Sequence, residues 1–215
     1  MQQHLYLISG LGADERMFSN LILPADYQVH YLPWITPLPS EPISRYAARM
    51  AENIQADGPV VLLGVSFGGM MSIEIARHIP VAKNILLSSI KCAAEKPPYY
   101  NWIRNLRIHK LPDQLIYQRR GAIVRKFLNA ETAWEKQLVN EYLQKRDLTF
   151  TRWAVDAILN WDNTSFPENL VHIHGDKDWP FPVRYLQPTH LIPNAGHLMV
   201  LNRANAVNRI LAEVL

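Results

Sequence analysis

The chain has 215 residues, 22 Lys+Arg against 19 Asp+Glu, and a formal net charge of +3. That length fits one domain, or one domain with an inserted segment, and 48% hydrophobic with 19% charged residues describes an ordinary globular chain with a sizeable core. Charge this close to balance gives no ground for nucleic-acid binding, and the single cysteine, Cys92, excludes an intrachain disulfide and a multi-cysteine zinc site. With no basic n-region, signal-like run or membrane-spanning stretch, the expected location is the cytoplasm.

Leu5-Tyr6-Leu7-Ile8 reads as a first strand, ending in the turn Ser9-Gly10-Leu11-Gly12. Ala13 to Leu23 reads as a short helix or helical turn. Tyr27 to Leu32 is a second strand closed by Pro33, and Pro33, Pro37, Pro39 and Pro42 make an extended loop. A helix is expected from Pro42 to Gln55, with Ile43, Tyr46, Ala47, Met50 and Ile54 on one face and Pro42 in its first turn. Val60-Val61-Leu62-Leu63 is a buried strand, followed at once by a helical pattern to Pro80 in which Met70, Ile73, Ala76 and Ile79 recur every three residues. Asn84 to Ser88 is another short buried strand. Continuous rather than alternating apolar runs, separated by helices, argue for a parallel sheet covered on both faces.

The alternation stops between about Lys91 and Ser165. Helical stretches are expected near Tyr100–Ile108, Gln114–Leu128, Ala130–Arg146 and Phe150–Asn160, with no strand. Residues 91–160 carry thirteen Lys+Arg and seven Asp+Glu, and four of the six tryptophans, Trp102, Trp134, Trp153 and Trp161, lie between Lys91 and Ser165. We read 91–165 as a helical cap inserted into a core formed by 1–90 and 166–215. The strands then resume with Asn169 to His174 and Thr189 to Ile192. A terminal helix is expected from about Asn202, as its cap, with Val207, Ile210 and Leu211 facing inward.

Between the Val60–Val65 strand and its helix sits Gly-x-Ser-x-Gly, at Gly64, Ser66 and Gly68. A turn this sharp strains the serine backbone, and small neighbours are needed because strand and helix converge there. The arrangement is that of a nucleophile elbow, which holds a hydroxyl above the end of a sheet beside a helix N-terminus. A serine hydroxyl is a weak nucleophile at neutral pH and needs a base, and the base needs an orienting group. Asp178 in His174-Gly175-Asp176-Lys177-Asp178 and His197 in Asn194-Ala195-Gly196-His197 both follow strand ends, where an open α/β sheet places its site. Asp176 is the rival carboxylate, read more simply as a loop cap. His172 and His174 share a strand face, and packing or local hydrogen bonding explains them better than a metal, since no carboxylate or third histidine stands at ligand spacing.

Ser-Gly-Leu-Gly after the first strand, Gly-Val-Ser-Phe-Gly-Gly, His-Gly-Asp-Lys-Asp and Ala-Gly-His, in that order, resemble the α/β-hydrolase fold family over roughly 1–90 and 165–215. The resemblance implies the order Ser66, Asp178, His197 for a catalytic triad, because the family's acid is the fourth residue of Gly-x-x-Asp. It implies an oxyanion hole from the N–H groups of Phe67 and Leu11. Many members have His-Gly where this chain has Ser9-Gly10, and members commonly have eight strands. This chain begins at what would be their third, so a shortened, mostly parallel sheet of six is expected, with the Val60–Val65 strand central.

The expected function is a serine hydrolase that cleaves a carboxylic ester or thioester through an acyl-enzyme, with a small-molecule acyl substrate, no cofactor and no metal. Amide or C–C bond hydrolysis and acyl transfer could use the same triad, and a non-catalytic binding protein could keep it. A dehalogenase would need aspartate in place of Ser66. The charge of the cap reads most simply as a solvated helix face, with the tryptophans packing cap onto sheet. Alternatively, cations among Arg104, Arg107, Arg119, Arg120, Arg125 and Lys126 face the pocket mouth and favour anionic acyl groups, with one or two aromatics lining the acyl site.

Overall fold

The computed structural model describes residues 2–106, 120–144 and 147–215. Six strands, β1 (Gln3–Ile8), β2 (Tyr27–Tyr31), β3 (Val60–Val65), β4 (Lys83–Leu87), β5 (Leu170–Gly175) and β6 (His190–Ile192), form one sheet in the order β2-β1-β3-β4-β5-β6. Every neighbouring pair is parallel. The expected six-stranded sheet is therefore present, with β3 between β1 and β4.

Side chains alternate across a strand, and the alternation divides the core in two. Leu5, Leu7, Val61, Leu63, Val65, Ile85 and Leu87 point to one face, where they meet Val207 and Leu211. Tyr6, Ile8, Leu62 and Leu86 point to the other, against Tyr46, Met50, Met70 and Ile73. Tyr46 and Met50 lie on helix α1 (Ile43–Ala51), and Met70 and Ile73 on α2 (Phe67–Ile75). Two-sided burial is what the continuous apolar runs require, each fully buried Leu or Ile contributing about 1.5–3 kcal/mol.

Several local expectations shift. Ala13 to Leu23 contains only a 3-10 turn, Glu15–Phe18, capped by the Asp14 side chain. Pro42 is the N-cap of α1 rather than a residue of its first turn, and the helix stops at Ala51. Beyond β4 come α3 (Tyr99–Asn105), α4 (Arg120–Phe127), α5 (Ala133–Gln144) and α6 (Leu148–Asn160). Residues 107–119 and 145–146, which include Arg107, Arg119 and parts of three expected helices, lie outside the described residues. Among the described residues of 91–165 there is no strand.

Helix α5 opens with a reciprocal capping box: the Glu135 N–H donates to Thr132 Oγ1 at 3.1 Å, and Glu135 Oε2 accepts from the Thr132 and Glu131 N–H groups. Asp147 caps α6 by accepting from the Phe150 N–H at 2.9 Å. The buried residues of this helical stretch join the two faces of the sheet core: Leu138 and Val139 join the first, Phe150, Ala154 and Trp161 the second. Trp153 packs on Tyr46 and Phe67, whereas Trp102 and Trp134 are 73% and 47% exposed.

The C-terminal segment is two helices, α7 (Met199–Asn202) and α8 (Ala204–Val214). Asn202 is not the cap of α8. It ends α7, and its side-chain amide donates to the Asn129 carbonyl at 3.1 Å, which ties this helix to the turn after α4. No helix among the described residues is long and apolar enough to cross a membrane.

Candidate active site

Ser66 follows β3 directly and adopts φ 55° and ψ −118°, a region costly for a side-chain-bearing residue. The two flanking glycines make room for it. A Cβ on Gly64 would stand 2.3 Å from the Gly68 carbonyl oxygen, and one on Gly68 would stand 2.2 Å from the Ile8 carbonyl oxygen. Two bonds from the neighbouring strand pin the turn: the Ser66 N–H donates to the Leu87 carbonyl at 2.9 Å, and Ser89 Oγ donates to the Ser66 carbonyl at 2.7 Å.

His197 lies in the loop between β6 and α7. A Cβ on Gly196 would fall 2.2 Å from Asn129 Cγ, so the glycine admits the Asn129 side chain, which also accepts from the His197 N–H at 3.4 Å. The Leu198 N–H donates to the Leu128 carbonyl at 3.2 Å. The turn after α4 thus seats the histidine loop. Asn129 itself has a φ of 60°, a conformation asparagine tolerates better than most residues.

Asp178 lies in the loop after β5. A Cβ on Gly175 would clash with the Ala195 carbonyl oxygen at 2.2 Å, so the β5 and β6 loops touch through this glycine. Asp178 Oδ1 accepts from the Phe181 N–H at 2.8 Å, and Oδ2 accepts from His197 Nδ1 at 2.8 Å. Since a carboxylate only accepts, Nδ1 carries the imidazole proton and Nε2 presents a lone pair. Ser66 Oγ sits 2.9 Å from that Nε2 and donates to it. Asp178 and His197 are nearly closed off from solvent. The rival, Asp176, has no hydrogen bond to His197; its Oδ2 lies 3.9 Å from the ammonium of Lys177, an exposed side chain.

Ser9, Gly10 and Leu11 bring the β1 loop over the serine, and a Cβ on Gly10 would lie 3.5 Å from Ser66 Cβ. Ser9, where the resemblance would place histidine, anchors this loop by donating to the Ala13 carbonyl at 2.9 Å, with the Tyr31 hydroxyl at 3.0 Å. Trp34 closes the other side, donating to the Gly10 carbonyl at 3.3 Å and stacking on Phe67 at 5.1 Å. The Phe67 N–H is the first of α2 and lacks an intrahelical acceptor.

A cavity of about 360 Å³ opens on Ser66 and His197, with Gly10, Leu11 and Gly12 along one side. Its other walls are helical stripes at three- and four-residue spacing: Val124, Phe127 and Leu128 at α4, Val139, Tyr142 and Leu143 on α5, and Leu148, Thr151 and Val155 on α6. The Tyr142 hydroxyl is turned to Asp14 Oδ1, 3.2 Å away. Among the described residues no Lys or Arg lines this space. Arg125 instead donates to Asn140 Oδ1, and Lys126 stands 6.0 Å over the Trp179 ring. No group of three or more potential metal ligands occurs among the described residues.

Sequence reasoning missed Ser89, Asn129 and the cavity stripes. The polar pair Ser88-Ser89 closing an apolar strand was the available signal for the first. Nothing local marked Asn129.

No curated protein matches the chain. Among solved structures, a candidate lipase from Acinetobacter baumannii AYE superposes with a TM-score of 0.75 at 19% identity, over 99% of this chain and 84% of that one. An enol-lactonase from Burkholderia xenovorans LB400 gives 0.72 at 13% identity, over 100% and 91%. A lipase-esterase related protein from Clostridium acetobutylicum ATCC 824 gives 0.70 at 16% identity, over 100% and 95%. At such identities these likenesses speak for the fold. The sequence model of the alpha/beta hydrolase family matches residues 5–210, nearly the whole chain, and with the sheet order and the turn at Ser66 it makes this protein a member of the alpha/beta hydrolase family.

Proposed function

We propose that the protein is a serine hydrolase that cleaves carboxylic esters or thioesters whose acyl group is small, apolar and uncharged. The observation that carries this reading is the hydrogen-bonded line Ser66 Oγ, His197 Nε2, His197 Nδ1 and Asp178 Oδ2, with both links under 3 Å, at the floor of an apolar cavity. His197 takes the Ser66 proton as Oγ attacks the acyl carbon, and Asp178 holds the tautomer and stabilises the imidazolium. The tetrahedral oxyanion is received by the backbone N–H groups of Leu11 and Phe67, since a pair of such donors stabilises the developing charge. His197 then protonates the leaving alcohol or thiol, and water, activated by the same imidazole, releases the acid.

The helical stretch 91–165 acts as the cap and supplies the acyl walls. The described walls of the cavity are mostly apolar side chains, which would solvate a carboxylate on the acyl group poorly. The apolar lining therefore favours neutral acyl groups over anionic ones. Lipase, esterase and lactonase names among the structural neighbours agree with ester chemistry.

The test combines a fluorophosphonate label with matched p-nitrophenyl esters bearing neutral or carboxylate-terminated acyl chains. Ser66 should label stoichiometrically, Ser66→Ala should not label and should retain less than about a thousandth of kcat, and the neutral esters should turn over faster. A wild-type protein that neither labels nor turns over any ester or thioester would refute the proposal.

A further inference from the structure

We propose that His172 and His174, the two buried histidines of β5, are positioning residues that brace the Ser66 turn and the Asp178 loop from beneath. The inference rests on the hydrolase reading above. It concerns two side chains that the reaction itself does not use.

The two residues point the same way from alternate positions of β5, and their rings meet edge-on at 5.2 Å. Both are fully closed off from solvent. Burial pushes both below the usual histidine range, His172 to about 3, so both are neutral at physiological pH. In each ring Nε2 faces a backbone carbonyl: the Ser89 carbonyl at 3.0 Å for His172 and the Phe181 carbonyl at 2.8 Å for His174. A carbonyl only accepts, so each Nε2 carries the proton.

From His172 the path runs to the nucleophile. The Ser89 peptide that its N–H holds carries the hydroxyl that donates to the Ser66 carbonyl at 2.7 Å. That bond explains a further glycine, because a Cβ on Gly69 would stand 2.5 Å from Ser89 Oγ. A strained turn keeps its geometry only where its surroundings over-determine it, and here Leu87 and Ser89 hold the two sides of the Ser66 residue.

From His174 the path runs to the acid. Phe181, whose carbonyl His174 holds, donates its N–H to Asp178 Oδ1 at 2.8 Å. The loop from Gly175 to Phe181 is thereby closed into a ring of strand side chain, loop backbone and acid side chain. The same His174 N–H edge lies 3.6 Å from Asp178 Oδ2, the oxygen that receives His197. A neutral donor suits this place. Lysine or arginine would bring a full charge to compete with His197 for the carboxylate, and an apolar side chain would leave the Phe181 carbonyl without this partner.

The test uses His174→Phe, which keeps a flat ring and removes the donor, His174→Gln, whose amide can still donate to the Phe181 carbonyl, and Ser89→Ala on the other arm. Each is measured as ester turnover per fluorophosphonate-titrated site, with KM and melting temperature alongside. His174→Phe should lower kcat per titrated site about a hundredfold, the scale of a small misplacement of reacting groups, with KM little changed. His174→Gln should recover most of that loss, and Ser89→Ala should slow labelling of Ser66. A purely structural role would lower the melting temperature and the number of titratable sites while leaving turnover per site alone, and that result overturns the brace. Equal losses in the Phe and Gln variants also overturn it. A wild type that neither labels nor hydrolyses overturns the hydrolase reading and the brace with it, whereas an active wild type with indifferent variants overturns the brace alone.

Discussion

Replacing Asp178 by asparagine changes one atom and reverses the hydrogen-bond direction at the centre of the site. Asp178 accepts twice, at Oδ1 from the Phe181 N–H and at Oδ2 from His197 Nδ1–H, each at 2.8 Å. Asparagine has only one accepting oxygen. If that oxygen turned to His197, its NH2 group would meet the buried Phe181 N–H, donor against donor. The favourable orientation keeps the oxygen on Phe181 and points the NH2 group at His197. The imidazole must then present a lone pair at Nδ1 and carry its proton on Nε2, facing Ser66 Oγ, so it can no longer take the serine proton. The same inversion of tautomer in a serine protease costs about four orders of magnitude in kcat. At 1.36 kcal/mol per tenfold, that corresponds to about 5.4 kcal/mol of transition-state stabilisation. The assay is ester turnover per titrated site for Asp178→Asn beside Asp176→Asn. Asp176 makes no hydrogen bond or ion pair with His197, and its variant should stay within about tenfold of wild type, as expected of a residue outside the proposed triad. An Asp178→Asn enzyme retaining more than a few per cent of kcat, or a larger loss in the Asp176 variant, would refute this assignment of the acid.

Other outcomes follow from the same contacts. Gly68→Ala forces a methyl group to 2.2 Å from the Ile8 carbonyl oxygen, so it should destabilise the fold by about 1–3 kcal/mol or more and slow Ser66 labelling; an unchanged denaturation midpoint would contradict the packing at the turn. His172 is displaced by burial from the usual 6.5 to about 3, so between those pH values the unfolded chain binds the proton that the folded chain excludes. Its contribution is present above about pH 6.5 and is lost as pH falls toward 3, with a slope up to about 1.4 kcal/mol per pH unit. Chemical denaturation across this window should show a shallower loss in His172→Gln than in wild type, and parallel curves would count against a neutral buried histidine. Thr132→Ala removes half of the capping box of α5 and should cost about 1 kcal/mol of stability, read as a lower denaturation midpoint.

Short-range patterns carried much of the fold and the two most specific site residues. The strands were legible because both faces of the sheet are buried, which writes them as continuous apolar runs. Ser66 was legible because a strand-to-helix turn this tight admits only glycine at 64 and 68, a demand made within five residues. His197 stood out through its loop between the last strand and the terminal helices. Asp178 stood apart from Asp176 by its place in the loop motif, and their geometry differs because only one of two nearby carboxylates can aim back across the strand ends.

Other features depended on elements far apart in sequence. Ser89 reaches Ser66 because β4 lies beside β3, and His172 reaches Ser89 because β5 lies beside β4. Asn129 and Asn202 meet across 73 residues, which is why Asn202 resembled a helix cap in isolation and serves as a tether in the fold. The apolar stripes of α4, α5 and α6 had readable spacing, but periodicity defines only that a helix has an apolar side. Whether that side fills a core or walls a cavity over Ser66 is decided when the helices pack against the sheet, and the same packing turned Arg125 and Lys126 toward Asn140 and Trp179. The sequence by itself determined the parallel sheet and the strained serine turn, because both are imposed by neighbours along the chain, and its motifs named Ser66, Asp178 and His197 as the proposed reacting groups. Tertiary structure alone decided the braces beneath those groups and the apolar chamber above them, because both are made of side chains that meet only after the strands are laid side by side.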